Sequence, residues 1–531
     1  MNRTTIVTPL LVSESEVSKL IKTLDGKKAT GCDHIPPKLL KIAANEVSRP
    51  LTSLINRSIR DSQFPHHLKL AELSPIYKSK DSLHRGNYRP VSILTCISKL
   101  YEKVYSDQLL GFFENILSVY LAAFRKHYSC HHVLMKLMDE CNLALERKEF
   151  VGMLLMDLSK AFDCLSHRLL ISKLRSYGLS LEACELVKSY LCNRKQRVKI
   201  GNVRSDWEAL KLGVPQGSIM GPLLFNIFIN DIFYALNSYC SLFNYADDNS
   251  LLNTSRSLTA LKYNLELSAK VAVDWFENNH MQANPGKFQA MILNHDPKNC
   301  DVTINIKNNC IQIENCVKLL GTYIDSKLKF DKHISVLCQR TAHRINSIGR
   351  ISKFLSKESL LFLYNAYILS NFNYCSCVWH FCSKENTMKM EKLHKRALRV
   401  TLNNYTSTYS DMLVEVKKST LHLSRIKTII TEVFKCIFKI NPAFMCDMFD
   451  CNEHSYNTRS HISLEQPKVT SVKNGLNTFR YQGAKYWNLL PKHITQAENL
   501  QNFKLMISQW TGPECSCGFC ILCSLDQLKN A

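Results

Sequence analysis

Six consecutive apolar residues, Val151-Gly152-Met153-Leu154-Leu155-Met156, run directly into Asp157. A run this short, with no polar alternation, reads as a strand buried on both faces, which requires a sheet covered by helices. It also delivers a carboxylate where the strand ends. A second acidic point follows downstream: residues 241–245 and 250–252 have strand character and flank Ala246-Asp247-Asp248-Asn249, giving strand, acidic turn, strand. A rigid buried sheet could hold both points while their oxygens face a wet cleft. Carboxylates held on separate strands are what two metal ions need to activate a hydroxyl and neutralise a leaving phosphate. An isolated Asp-Asp in a loop is an ordinary solvated turn, so the weight rests on its surroundings.

Those surroundings mix helix and strand. Helical spacing marks residues 16–24, 37–44, 98–113, 166–177, 181–191 and 258–276, and strand character marks 75–77 and 288–293. Residues 196–200 and 205–212 read as a hairpin reversing at Gly201-Asn202. Residues 222–236 are apolar on most faces and predict a buried helix. Helices dominate after Asp331, the stretch 475–491 breaks that pattern, and the last twenty residues are short, polar and cysteine-rich.

At 531 residues, 45% hydrophobic, the chain is too long for one ordinary domain and too apolar for disorder, so roughly two to four packed units are expected. Lys and Arg total 68 against 45 Asp and Glu, and the formal charge of +23 favours a polyanionic partner. The N-terminus carries no continuous apolar stretch suited to a signal peptide. The most apolar segment, 221–236, is interrupted by Asn226, Asn230 and Asp231 and falls short of the roughly 18 uninterrupted residues of a membrane span. The expectation is an intracellular protein of cytoplasm or nucleus, neither secreted nor in a membrane, with most of its 22 cysteines reduced and buried.

Three blocks carry a family resemblance. Met156-Asp157-Leu158-Ser159-Lys160-Ala161-Phe162-Asp163 resembles the first catalytic motif of reverse transcriptases, and Tyr245-Ala246-Asp247-Asp248 the third. Between them, Gly213-Val214-Pro215-Gln216-Gly217-Ser218 and the following Ile219 to Phe225 look like the second, the loop and helix lining the nucleotide pocket. Asn87 to Leu94 and Phe124 to Ser129 are similar to the fingers motifs, while 284–293 and Leu319 to Asp325 are similar to the end of the palm and its primer-side hairpin. Lys28 to Pro36 is similar to a block found ahead of the fingers in non-LTR elements, and Tyr456-Asn457-Thr458-Arg459 and Tyr486 to Pro491 to their C-terminal blocks. The pattern departs from the family at Cys32, where Pro or Ala is usual, and at Ala123, where Gly is common.

The resemblance, to reverse transcriptases of jockey-like non-LTR retrotransposons, implies an α+β right-hand polymerase. Residues 1–70 would be an N-terminal extension, 71–325 fingers and palm, 326–440 a helical thumb, and 441–531 a C-terminal region. It implies an RNA-directed DNA polymerase with an RNA template, a DNA primer or target, deoxynucleoside triphosphates and two Mg²⁺ ions, which suit hard oxygen ligands. Asp157 and Asp247 would be the principal metal ligands and Asp248 a supporting one. Phe162 matches the bulky residue under the incoming sugar, with core packing as its other reading, and Gln216 matches the residue touching the nucleotide. Arg125 and Lys126 would contact the triphosphate, and Lys287 would protonate pyrophosphate. Asp163 is matched to no metal ligand. Two other readings share these motifs: a non-catalytic nucleic-acid-binding remnant of a mobile element and an intron-encoded maturase, the latter disfavoured by the C-terminal blocks. No endonuclease motif set accompanies the polymerase, which predicts a truncated reading frame without specific nicking of duplex DNA. Cys515, Cys517, Cys520 and Cys523 could hold Zn²⁺ or belong to a reduced tail, and their spacing assigns no zinc.

Overall fold

The computed structural model describes residues 8–79, 81–295, 302–451, 462–471 and 474–512. The four terminal cysteines and the block 456–459 lie outside these residues. The chain divides into two compact units, one of Met1–Phe124, Asp157–Ser238 and Lys270–Pro285, the other of Arg125–Met156, Tyr239–Ala269 and Gly286–Ala531. Among the described residues no helix is long and apolar enough to cross a membrane.

In the first unit the strands Leu70–Tyr77 and Tyr88–Leu94 pair antiparallel, and the first also pairs parallel with Arg194–Ile200. That third strand reverses through Gly201, at φ +58°, onto Val203–Arg204, and pairs again with Glu208–Leu210. The turn at 201–202 is thus where the sequence puts it, because glycine alone enters the left-handed region without a Cβ penalty. A buried charge ties this sheet together: Glu72, 1% exposed, accepts from Arg197 at 2.6 Å, Lys199 at 3.1 Å and Arg204 at 3.2 Å. These partners hold its carboxyl below the ordinary value even though burial pushes it the other way.

The sequence reading needs several corrections here. The chain is helical over Ala44–Arg60, a stretch to which the sequence reading assigns no element; Pro50 falls in its second turn and forfeits one intrahelical bond. The predicted buried helix 222–236 is two, Met220–Ile229 and Ile232–Leu236. The break has visible partners. Lys173 Nζ takes the Phe228 carbonyl at 2.8 Å and the Asp231 carboxylate at 2.7 Å, and the buried Asn230 accepts from the Ser118 amide at 2.7 Å. The Lys173 ammonium therefore satisfies the Phe228 carbonyl that continuing helix would have used, while Asn230 and Asp231 turn their side chains to partners outside the helix.

The N-terminus of Met220–Ile229 is held from a different helix, Cys96–Phe113. Glu102, 0% exposed, accepts the amides of Ile219 at 2.7 Å and Met220 at 3.3 Å, and the Ser98 hydroxyl at 3.2 Å. Burial pushes its carboxyl up, while the buried Arg194 and the two amides pull it back. Removing it would leave two helix-terminal amides without an acceptor in a dry core. Glu102→Ala is expected to cost about 3 kcal/mol of stability, the scale for breaking a buried charged pair. A denaturation midpoint within experimental error of the parent would show this cap to be dispensable.

The second unit is built around a sheet of strand order Gln289–Leu293, Phe150–Ser159, Asp248–Ser255, Ser241–Tyr245. Residues 151–155 pair antiparallel with 289–293 in the register Met153 to Met291. The apolar run is as buried as its composition predicts, with Val151, Met153 and Leu154 at 0% exposure. Gly152 lets the helix Leu258–Asn278 pack close, since a Cβ there would lie 2.4 Å from the Leu265 side chain and would force it to shift. The helix Cys130–Glu146, which sequence periodicity did not reveal, belongs to the same unit. Beyond the hairpin of Cys316–Leu319 and Thr322–Asp325 the chain is helical from Asp331 onward. The stretch expected to interrupt that pattern, 475–491, instead contains the helix Phe479–Asn488, capped by Thr478.

Helices Lys384–Leu402 and Leu421–Ile437 meet over a buried polar chain. His394 bridges the hydroxyls of Tyr364 and Tyr409, each at 2.6 Å, and Tyr409 donates to Glu391, which also accepts the His422 amide at 2.7 Å. Burial pushes the His394 imidazole down to about 3, so it serves as a neutral link.

Candidate functional site

The strand Phe150–Ser159 does not stop at Asp157, as the sequence suggests, but continues two residues further. Leu158 and Ser159 pair with Ala283 and Gln282, and the Asn284 amide donates to the Asp157 carbonyl at 3.2 Å. Asp157 is therefore a strand residue held by its own backbone, and its side chain is half-buried. After Ser159 the chain turns sharply through Lys160, at φ +51°, with the amides of Asp163 and Cys164 returning to the Lys160 carbonyl at 2.9 and 3.1 Å.

The glycine-rich loop of the second motif is pinned against this turn. Val214 N donates to Phe162 O at 3.0 Å and Gly213 N to Leu165 O at 2.8 Å. Gly213 has φ +77°, and a Cβ there would sit 2.6 Å from Phe162 O; Gly217 has φ +112°, and a Cβ would sit 2.8 Å from Ser92 O. Both positions exclude any side chain. Ser92 N donates to Gln216 O at 2.6 Å, fixing the middle of the loop from the neighbouring strand. Phe162 and Gln216, both singled out by the resemblance, are thereby brought into one neighbourhood of the first unit. Phe162 stacks on Phe225, centroids 4.5 Å apart at 19°, and meets Phe124 edge-on at 5.8 Å. Gln216 Nε2 donates to Asp163 Oδ1 at 2.9 Å.

In the second unit the acidic turn is tighter than predicted. Tyr245 pairs with Asp248, so Ala246 and Asp247 alone make the turn, and Asp248 is the first residue of the returning strand. Both aspartates are exposed. Ala246 takes φ +57°, a conformation that costs a non-glycine residue of the order of 1 kcal/mol. The compensation lies underneath. Asn244, 0% exposed, donates to Ala246 O at 2.8 Å and to Asn249 Oδ1 at 2.9 Å, and Asn249 donates to Asp247 O at 3.2 Å. This cross-strand pair was missed in the sequence, although its sign was there: an asparagine stands immediately outside each end of Tyr245-Ala246-Asp247-Asp248. The Tyr245 phenol is pushed up to about 12 by burial and by the neighbouring Cys130 thiol.

The basic residues are placed unequally. Lys126 and Lys287 are exposed, Lys287 closing the short turn Pro285–Lys287. Arg125 is 7% exposed, its guanidinium 4.2 Å above the Tyr128 ring, in a loop whose Phe124 and His127 both adopt positive φ. Among the described residues no three His, Cys, Asp or Glu side chains form a ready metal cage. A hard divalent cation usually takes one or two carboxylates and completes its shell with water and substrate phosphates. Exposed, hard oxygen donors at a hairpin tip are the right chemistry for it.

Residues 76–324 match the family model described as reverse transcriptase (RNA-dependent DNA polymerase). The chain is 27% identical over 405 residues to the RNA-directed DNA polymerase from mobile element jockey of Drosophila funebris, covering 73% of this chain and 43% of that protein. It is 26% identical over 434 residues to the probable RNA-directed DNA polymerase from transposon BS of Drosophila melanogaster, covering 77% and 45%. The probable RNA-directed DNA polymerase from transposon X-element of the same fly is 25% identical over 394 residues, covering 72% and 43%. The chain thus spans less than half the length of these relatives. Residues 76–324 are thus similar to reverse transcriptases, and most of the chain is similar to the RNA-directed DNA polymerases of these mobile elements.

Proposed function

We propose that this chain is an RNA-directed DNA polymerase that adds deoxynucleotides to a primer 3′-hydroxyl on an RNA template, with Asp157, Asp247 and Asp248 holding two Mg²⁺ ions. The observation that carries the reading is the acidic hairpin, whose exposed Asp247 and Asp248 stand at the tip of a two-residue turn held from beneath by Asn244 and Asn249. When bound, the ions would activate the primer hydroxyl and neutralise the departing pyrophosphate. The chain's own residues do the positioning. Phe162, clamped between two aromatic rings, is the wall under the sugar, and Gln216 contacts the nucleotide. Lys126, exposed, is the first triphosphate contact, with Arg125 behind it stiffening the loop on Tyr128, and Lys287 offers a proton to pyrophosphate. Template and primer backbones are held by dispersed Lys and Arg contacts, which predicts binding that weakens steeply with salt.

The test is direct. Purified chain with an RNA template, an annealed DNA primer, Mg²⁺ and deoxynucleotides is expected to extend the primer. Binding of the duplex without extension, across a range of salt and primer lengths, would overturn the polymerase reading and leave a nucleic-acid-binding remnant.

A further inference from the structure

The side chain of Asp163 is engaged with the residue assigned above to the nucleotide. Gln216 Nε2 donates to its Oδ1 at 2.9 Å, across 53 residues of sequence, and both side chains are half-buried. The backbone of this region is already locked without that bond: Val214 and Gly213 amides dock on the carbonyls of Phe162 and Leu165, Gly213 and Gly217 fill spaces no Cβ could enter, and Ser92 N holds Gln216 O. What the carboxylate adds is therefore control of the Gln216 side chain alone.

A glutamine amide presents a carbonyl oxygen and an NH₂ group that nearly superimpose when the group flips. An ionised carboxylate only accepts, so Asp163 admits the NH₂ end and rejects the oxygen. We infer that Asp163 is a positioning residue for nucleotide selection: it fixes the Gln216 amide in one orientation, leaving Oε1 and the second N–H of Nε2 for the incoming deoxynucleoside triphosphate. Phe162, the adjacent residue, stacks on Phe225, so one short turn sets both the sugar wall and the amide orientation. The inference rests on the reading of Gln216 as a nucleotide contact.

The experiment is a double-mutant cycle on the full chain, read as deoxynucleotide KM in single-nucleotide extension and as nucleotide affinity of a ternary complex made with a chain-terminated primer. Asp163→Ala is expected to raise KM and weaken ternary-complex affinity roughly ten-fold, the scale of one charge-assisted hydrogen bond. Primer–template affinity should stay at the parent value. Asp163→Asn, whose Oδ1 can still accept from Gln216, should recover most of the loss. Gln216→Ala should raise KM at least as much, and adding Asp163→Ala to it should do nothing more. Should Asp163→Ala fold poorly, Asp163→Ser, polar but too short to reach the amide, takes its place. Additive single effects, or Gln216→Ala raising KM while Asp163→Ala and Asp163→Ser leave it unchanged, overturn the inference and spare the nucleotide role of Gln216. No effect of Gln216→Ala on either readout removes that role, and the inference with it.

Discussion

Asp157→Asn and Asp247→Asn are each expected to lower primer extension by about a thousand-fold or more, because an amide oxygen replaces a charged ligand that must capture and space metal ions. Stability should barely change. Asp247 is exposed at the tip of a two-residue turn, and asparagine keeps the shape of each side chain and leaves the bond from the Asn284 amide to the Asp157 carbonyl in place. Duplex binding should persist with the parent's salt dependence, since it draws on residues elsewhere. Asp248→Asn should be equal or milder. Extension time courses beside filter binding and thermal melting separate these effects, and parent-like extension by Asp247→Asn would refute the proposed site.

The second large effect concerns sugar choice. Phe162→Ala is expected to raise ribonucleotide incorporation by roughly 10- to 100-fold relative to deoxynucleotide, the discrimination one well-placed apolar wall supplies. The ring can act as a wall because it cannot swing away: Phe225 lies parallel at 4.5 Å and Phe124 stands across its edge at 5.8 Å. Losing these contacts costs about 1 kcal/mol as well, so a modest drop in melting temperature should accompany the change. Competition between a ribonucleotide and its deoxy counterpart on one template base measures the ratio. An unchanged ratio in an active variant assigns Phe162 to packing.

How much of this was legible in the sequence depends on how local the cause was. The apolar run before Asp157, the hairpin at Gly201 and the long helix 258–278 follow from periodicity and turn chemistry that act over a few residues, and they stand where the sequence predicts them. Helix Ala44–Arg60 was hidden by Pro50, whose local signal is that of a breaker. The division of 222–236 was hidden for the opposite reason: it depends on Lys173 and Ser118, partners no window around the helix contains. The site shows the same split. The candidate carboxylates stand out in the sequence beside apolar strand-forming runs, whereas Glu102, lying among Leu100, Tyr101, Val104 and Tyr105, gives only the hint of a charge on an apolar helix face. Asp163 is matched to no metal ligand in the motif, and its hydrogen bond to Gln216, 53 residues away in another loop, lies beyond any local signal.

The asparagine pair beneath the acidic turn bears on thermodynamics as well as shape. Asn244 and Asn249 tie both turn carbonyls, Ala246 O and Asp247 O, from within the hairpin itself. The backbone that carries Asp247 is thereby ordered during folding, when freezing one residue costs about 1–2 kcal/mol of conformational entropy. A cation arriving at these oxygens meets a loop with little freedom left to lose, so its affinity should carry a small entropic penalty and depend weakly on temperature. Replacing Asn244 with alanine would return that freedom to the turn, and the same carboxylates would then bind a cation less tightly, though every oxygen remained present.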